Sequence, residues 1–232
     1  ETIMANGNSV FDEIREQHLK VKNEKGMKAY ILHLFHYYKW YALTGLAVLI
    51  IVISMIYDAV TQKDIVLQAV LVNAFPNVGN EEFMADYEKT ITINPKKEET
   101  SLISDFYINV DDPTIFEAEN IQKLLVLCAS GAVDVCVVDE SYLMQMAQGG
   151  YYMDLSTVFT KEQMEKYSDR LVWHDYPDDD KDAEEAIALE ITDAAKIVST
   201  QSYPNTKCYF AIMFNAPNID NSLAFLDYLE TP

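Results

Sequence analysis

Gly131-Ala-Val-Asp-Val-Cys-Val-Val-Asp-Glu-Ser-Tyr-Leu-Met-Gln-Met-Ala-Gln-Gly-Gly150 packs a strand, a cap and a helix into one short stretch. Val133–Val138 is β-branched and nearly all apolar, as a strand covered on both faces must be. Asp139 can accept hydrogen bonds from a first helical turn, so it caps a helix over Glu140–Gln148. Gly149 and Gly150 then end that helix.

Outward from this unit the same alternation continues. Toward the C-terminus, Thr160-Lys-Glu-Gln163 is a capping box that opens a helix through Tyr167. Residues 186–192 and 207–214 read as strands, and Asn218 or Asp220 caps a final amphipathic helix with Leu223, Leu226 and Leu229 on one face. Toward the N-terminus, Gly131 stops a helix expected over residues 112–130, with Pro113 at its first position and Ile121, Leu124, Leu125 and Cys128 inward. Before it, residues 101–110 read as a strand, a hairpin partner of the alternating Thr90–Asn94 that Pro95 ends. Asn80 caps a helix to about Lys89, and Ile65–Asn73 is a nearly continuous apolar strand. The expectation is an α/β fold with one doubly wound, mostly parallel sheet over residues 64–232. That length serves one such domain.

Ahead of it lies a segment of another kind. Trp40–Tyr57 runs 18 residues without a charge and is apolar on every side, within the range of roughly 17–25 that spans a bilayer. Trp40 and Tyr41 mark one interface and Tyr57 the other, with Leu49 and Ile50 at the centre. A soluble helix would show a polar face. The organisation expected is a tail and juxtamembrane helix (1–39), a transmembrane helix (40–57), a linker (58–63) and an α/β domain (64–232). Residues 20–39 hold five lysines against Glu24, so the positive-inside rule puts the N-terminus in the cytoplasm and the domain outside. No A-x-A site follows the apolar run, which reads as an uncleaved anchor in the cell membrane. In the tail, Ser9–Asp12 reads as a capping box that opens a short helix.

Net charge is −20, from 17 basic and 37 acidic side chains. Residues 1–39 hold 6 basic and 5 acidic groups, net +1, which leaves −21 on the rest. So acidic a surface repels phosphate backbones and excludes nucleic acid as a partner.

Residues 131–155, with the acidic pair Asp139-Glu140, a short helix, Gly150 and then Asp154-Leu155, resemble the extracellular solute-binding proteins of bacterial ABC importers. Tyr209–Phe214, Asn215-Ala-Pro217 and Ala224–Leu229 resemble the end of the same proteins. The likeness covers residues 115–160 and 205–230. The chain as a whole also resembles single-pass membrane proteins of Gram-positive bacteria, with FHYYKWY before the span. The resemblance implies a single periplasmic-binding-protein-like lobe. Those proteins close two lobes around a solute, whereas this chain has room for one, and one lobe cannot enclose a small ligand.

Motifs for chemistry are missing: there is no G-x-S-x-G, H-E-x-x-H, P-loop or G-x-G-x-x-G. Only His174 lies beyond the span, which disfavours a Ser-His or Cys-His hydrolase. His33 and His36 share a helical face but lack a third ligand. Cys128, Cys136 and Cys208 read as small buried hydrophobes, and an odd count argues against a disulfide framework. The acidic run 174–185 lacks EF-hand spacing and reads as a solvated loop or a docking surface for a basic partner. No metal, cofactor or catalytic residue is assigned.

At the carboxyl ends of the strands, Asn73, Phe75, Asp139, Glu140, Ser141, Tyr142 and Asn215 would line a crevice for a ligand or partner. The plainer reading makes Asp139 a cap and Asn73 and Asn215 turn formers. Two functions follow. One is a non-enzymatic, membrane-anchored accessory subunit of an integral membrane complex, with ABC transporter subunits and the lipid bilayer as partners. The other is a receptor or sensor lobe for a small solute or peptide.

Overall fold

The computed structural model describes residues 10–75, 79–109, 112–176 and 184–232. They fall into two compact units, divided between Gln62 and Lys63.

The first unit is one helix, α1, Val10–Thr61, of 52 residues and about 78 Å. Within it Tyr38–Asp58 is long and apolar enough to cross a membrane. Every residue from Lys39 to Asp58 is exposed, Trp40, Tyr41, Leu49, Ile50 and Tyr57 among them. The helix continues through most of the segment read as a linker. Ser9, the cap proposed for its start, lies outside the described residues, as do the side chains of His33 and His36.

The second unit alternates strands and helices: β1 Asp64–Val72, α2 Asn80–Glu88, β2 Glu98–Phe106, α3 Ile115–Ala129, β3 Val135–Asp139 and α4 Glu140–Gln148. A 3-10 turn at Leu155–Thr157 leads to α5 Lys161–Lys166, β4 Leu171–His174, β5 Glu185–Glu190, α6 Ala195–Thr200, β6 Cys208–Ile212 and α7 Ile219–Glu230. The strands form one six-stranded sheet in the order β2-β1-β3-β6-β5-β4. β1 pairs parallel with β2 and β3, and β6 runs antiparallel to β3. β5 reverses against β6, and β4 against β5. Thus β1, β2, β3 and β5 share one direction and β6 and β4 oppose it. The fold is α/β with a mixed sheet.

Helices cover both faces. Leu71 of β1 shares a small cleft with Phe83 of α2, whereas Val70, on the other face, pairs with Cys136, which meets Cys128 of α3. On the α2 side Phe83, Tyr87, Phe225 and Tyr228 join α2 to α7, with ring centroids 5.1–6.3 Å apart. Such contacts add to what burial of the rings already contributes.

Several local expectations are corrected. Thr90–Asn94 is not a strand: the Thr90 amide and hydroxyl both donate to Tyr87 O, absorbing its start into the end of α2. β2 is consequently no hairpin strand but a parallel neighbour of β1. Thr114, not Asp112, caps α3, in a capping box with Glu117, so Pro113 lies before the helix. Gly131 ends that helix with φ 70°, a conformation that disfavours a side chain. Asn218 precedes α7 without a side-chain cap bond.

β2 is an edge strand, and α2 covers that edge. Glu88 Oε1 accepts from the Thr100 amide and hydroxyl at 3.1 and 2.8 Å. Asn80 Nδ2 donates to Leu102 O at 3.0 Å and its Oδ1 accepts from Ser104 Oγ at 2.9 Å. Thr100 and Leu102 share the parity that points backbone groups away from β1. Two of the outward groups are therefore already bonded.

Candidate functional site

In the order β2-β1-β3 the chain leaves β1 first to one side and then to the other. The crevice of an open α/β sheet lies at such a point, outside the carboxyl ends of β1 and β3. Asn73 follows β1 there in the left-handed region, φ 59°, which asparagine tolerates better than most residues. Its Nδ2 donates to Asp139 Oδ2 at 2.7 Å and to Ile108 O at 2.9 Å, and its Oδ1 accepts from the Ile108 amide at 2.7 Å. One asparagine thereby ties the ends of β1, β2 and β3 together.

Asp139 divides its carboxylate between two tasks. Oδ2 receives Asn73, and Oδ1 accepts from the Tyr142 amide at 2.9 Å, capping α4. Both readings of this aspartate, cap and crevice residue, thus describe the same side chain. Glu140 and Ser141 are exposed on the first turn of α4, and Phe75 is exposed on the other flank. The Phe75 amide donates to Ser202 O at 2.8 Å.

Two of the expected residues belong elsewhere. Tyr142 is buried, and burial, with Cys136 and Cys128 nearby, pushes its phenol well above the ordinary range. It is a core side chain and lines no crevice. Asn215 follows β6, which runs against β3, with Cys208 beside Asp139 and Ile212 beside Val135. Its position is therefore the opposite end of the sheet, where Nδ2 donates to Ala129 O at 3.2 Å.

The residue that fills the crevice is Tyr203, which the sequence reading passed over. It is buried, and its hydroxyl lies 2.8 Å from both Val72 O and Val137 O, near the carboxyl ends of β1 and β3. One phenolic proton serves both carbonyls. Burial raises its pKa well above the ordinary value, so it stays a neutral donor. Gln201 and Asn205, at φ 52° and 60°, bracket the turn that delivers it. Pro204 and Asn205, both common turn formers, were the sequence signal for that turn. Beside it, between Leu71, Phe75, Asn80, Phe83, Thr200 and Ser202, remains a cleft of about 20 Å³. That is room for about one water, not a solute.

A second aspartate was also missed as a functional group. Asp134 is buried just ahead of β3 and receives three N–H donors: Gln68 N at 2.8 Å, Asn218 N at 2.9 Å and Asn218 Nδ2 at 3.2 Å. It fastens β1 to the turn before α7.

Little here favours covalent chemistry. All three cysteines are free and buried. Burial pushes Cys208 up to about 12, and the Cys128 contact together with burial raises Cys136. Thiols held protonated are poor nucleophiles. His174 ends β4 with its ring 4.6 Å from that of Tyr176. Residues 177–183, the middle of the acidic run, lie outside the described residues. Among the described residues no group of three or more His, Cys, Asp or Glu could hold a metal ion. Compared with protein-family models, with curated proteins and with solved structures, the chain matches none.

Proposed function

We propose that this chain is a non-enzymatic, membrane-anchored interaction subunit whose α/β domain associates with an integral membrane complex, a transporter. One observation carries the reading: the crevice at the carboxyl ends of β1 and β3 is filled by the chain itself. Asn73, Asp139 and Tyr203 take up its polar groups, and the remaining cleft holds about 20 Å³. A drug-sized ligand needs a pocket of several hundred Å³. The exposed surfaces, not a cavity, are then the parts left for recognition.

In this reading the domain is a doubly wound lobe of the solute-binding-protein kind. Its support is the order β2-β1-β3 with helices on both faces. The span Tyr38–Asp58 anchors it, and the lysines of residues 20–39 keep the N-terminus in the cytoplasm and the domain outside.

Purification of the full chain in mild detergent tests the proposal. A stoichiometric integral membrane partner is expected, lost when the span is replaced by an unrelated apolar helix. Calorimetry with sugars, amino acids and short peptides should give no heat. Micromolar binding of any of them would establish the receptor reading instead.

A further inference from the structure

Helix α3 is mostly apolar, yet only Leu124 and Cys128 are fully buried on it. Its outward face carries Phe116 and Val126, exposed by 65% and 62%, one near each end. Between them, on the same stripe at 3-4-3 spacing, stand the exposed Glu119 and Lys123. Lys123 rests its ammonium 5.2 Å from the Phe106 ring while staying exposed to solvent.

The order of that stripe has a symmetry of its own. Phe116 and Val126 lie equally far from residue 121, and so do Glu119 and Lys123. We propose that α3 is a self-association surface, on which α3 of a second copy lies antiparallel about a two-fold axis at residue 121. Phe116 of each copy then meets Val126 of the other, and Glu119 of each meets Lys123 of the other. A two-fold contact must be self-complementary in this way. A surface built for an unrelated partner carries no such requirement. The charges supply register and direction: a parallel pairing would set Glu119 beside Glu119 and Lys123 beside Lys123.

The contact is small. One helix face offers far fewer than the roughly 20–30 residues a side of a stable interface. The dimer is accordingly a weak one that forms as the chain is concentrated. This inference stands apart from the proposed transporter partner, since it names a different surface and a different occupant.

The test uses the detergent-solubilised full chain, with sedimentation followed over a range of protein concentrations. Wild type should pass from monomer to dimer. Glu119→Lys and Lys123→Glu each place like charges together twice, and each should weaken dimerisation at least about tenfold. An equimolar mixture of the two variants pairs lysines with glutamates across the contact and should recover the dimer. The double variant E119K/K123E should recover it alone. Unchanged far-UV circular dichroism verifies that each variant is folded, and recovery on mixing cannot come from a misfolded chain. A wild-type chain that stays monomeric overturns the proposal. So does a dimer indifferent to the single reversals, or a mixture that fails to recover. A different protein found bound to α3, and released by Phe116→Asp, would overturn it as well.

Discussion

Asp134 stands just ahead of β3 and Asp139 ends it, so the two carboxylates occupy opposite ends of one short strand. Each bonds an asparagine side chain and a backbone amide. Their surroundings differ. Asp134 is 1% exposed and takes a third donor, the Asn218 amide, whereas Asp139 is half-buried. The same residue type is a structural rivet at one end and, at the other, a cap that also closes a crevice. Burial and the number of satisfied donors separate the two roles, since an unsatisfied buried group costs far more than one that water can reach.

Thermal unfolding of the detergent-solubilised chain can break that comparison. Asp134→Ala strands three N–H donors in the interior and should destabilise by about 3–5 kcal/mol. For a domain of this size that lowers Tm by roughly 6–20 °C. A loss below about 1 kcal/mol would mean that water reaches this end and that the contrast is false. Asn73→Ala removes the bonds to Ile108 and Asp139 and places alanine at positive φ, for a loss of about 2–3 kcal/mol. Asn73→Gly relieves the backbone part, so it should be the milder of the two by about 1 kcal/mol. If both fall equally, the hydrogen bonds alone hold the crevice shut. Asp139→Ala gives up the α4 cap and the Asn73 contact, about 1–2 kcal/mol. Tyr203→Phe should cost about 1 kcal/mol, and its sharper readout is amide exchange, which should quicken at the ends of β1 and β3. Asn215→Ala, with one bond at the far end of the sheet, should change stability by about 0.5 kcal/mol.

Much of this was legible where the signal was local. The cap and helix of residues 139–150 emerged as read and the strand began two residues later than read, at Val135, because β-branched side chains, a capping aspartate and paired glycines each act within a few residues. The Thr160–Gln163 capping box formed for the same reason. The losses came where distant pairing decides. The direction of β6 is not written in its own side chains, so Asn215 was grouped with residues at the wrong end of the sheet. β4 has four residues and α6 six, and the cap position of α6 is Ala194, which offers no side-chain acceptor. Tyr203 carries no local signal of its role, since its two acceptors lie 131 and 66 residues away in the chain. Asp134 was absorbed into the strand read over Val133–Val138, because its donors come from β1 and from the turn before α7.

The covered edge of β2 has a consequence in time. A ribosome releases β1 and α2 before β2, so the emerging edge strand finds its sheet neighbour, Asn80 and Glu88 already made. Two of its outer backbone groups, the Thr100 amide and the Leu102 carbonyl, find partners as soon as it emerges. The opposite edge has the reverse chronology: β4 is synthesised before β5, its one neighbour among the described residues, and carries the half-exposed Trp173. During synthesis the hazard of strand-to-strand capture between nascent chains therefore falls on β4, and its four-residue length keeps that template short.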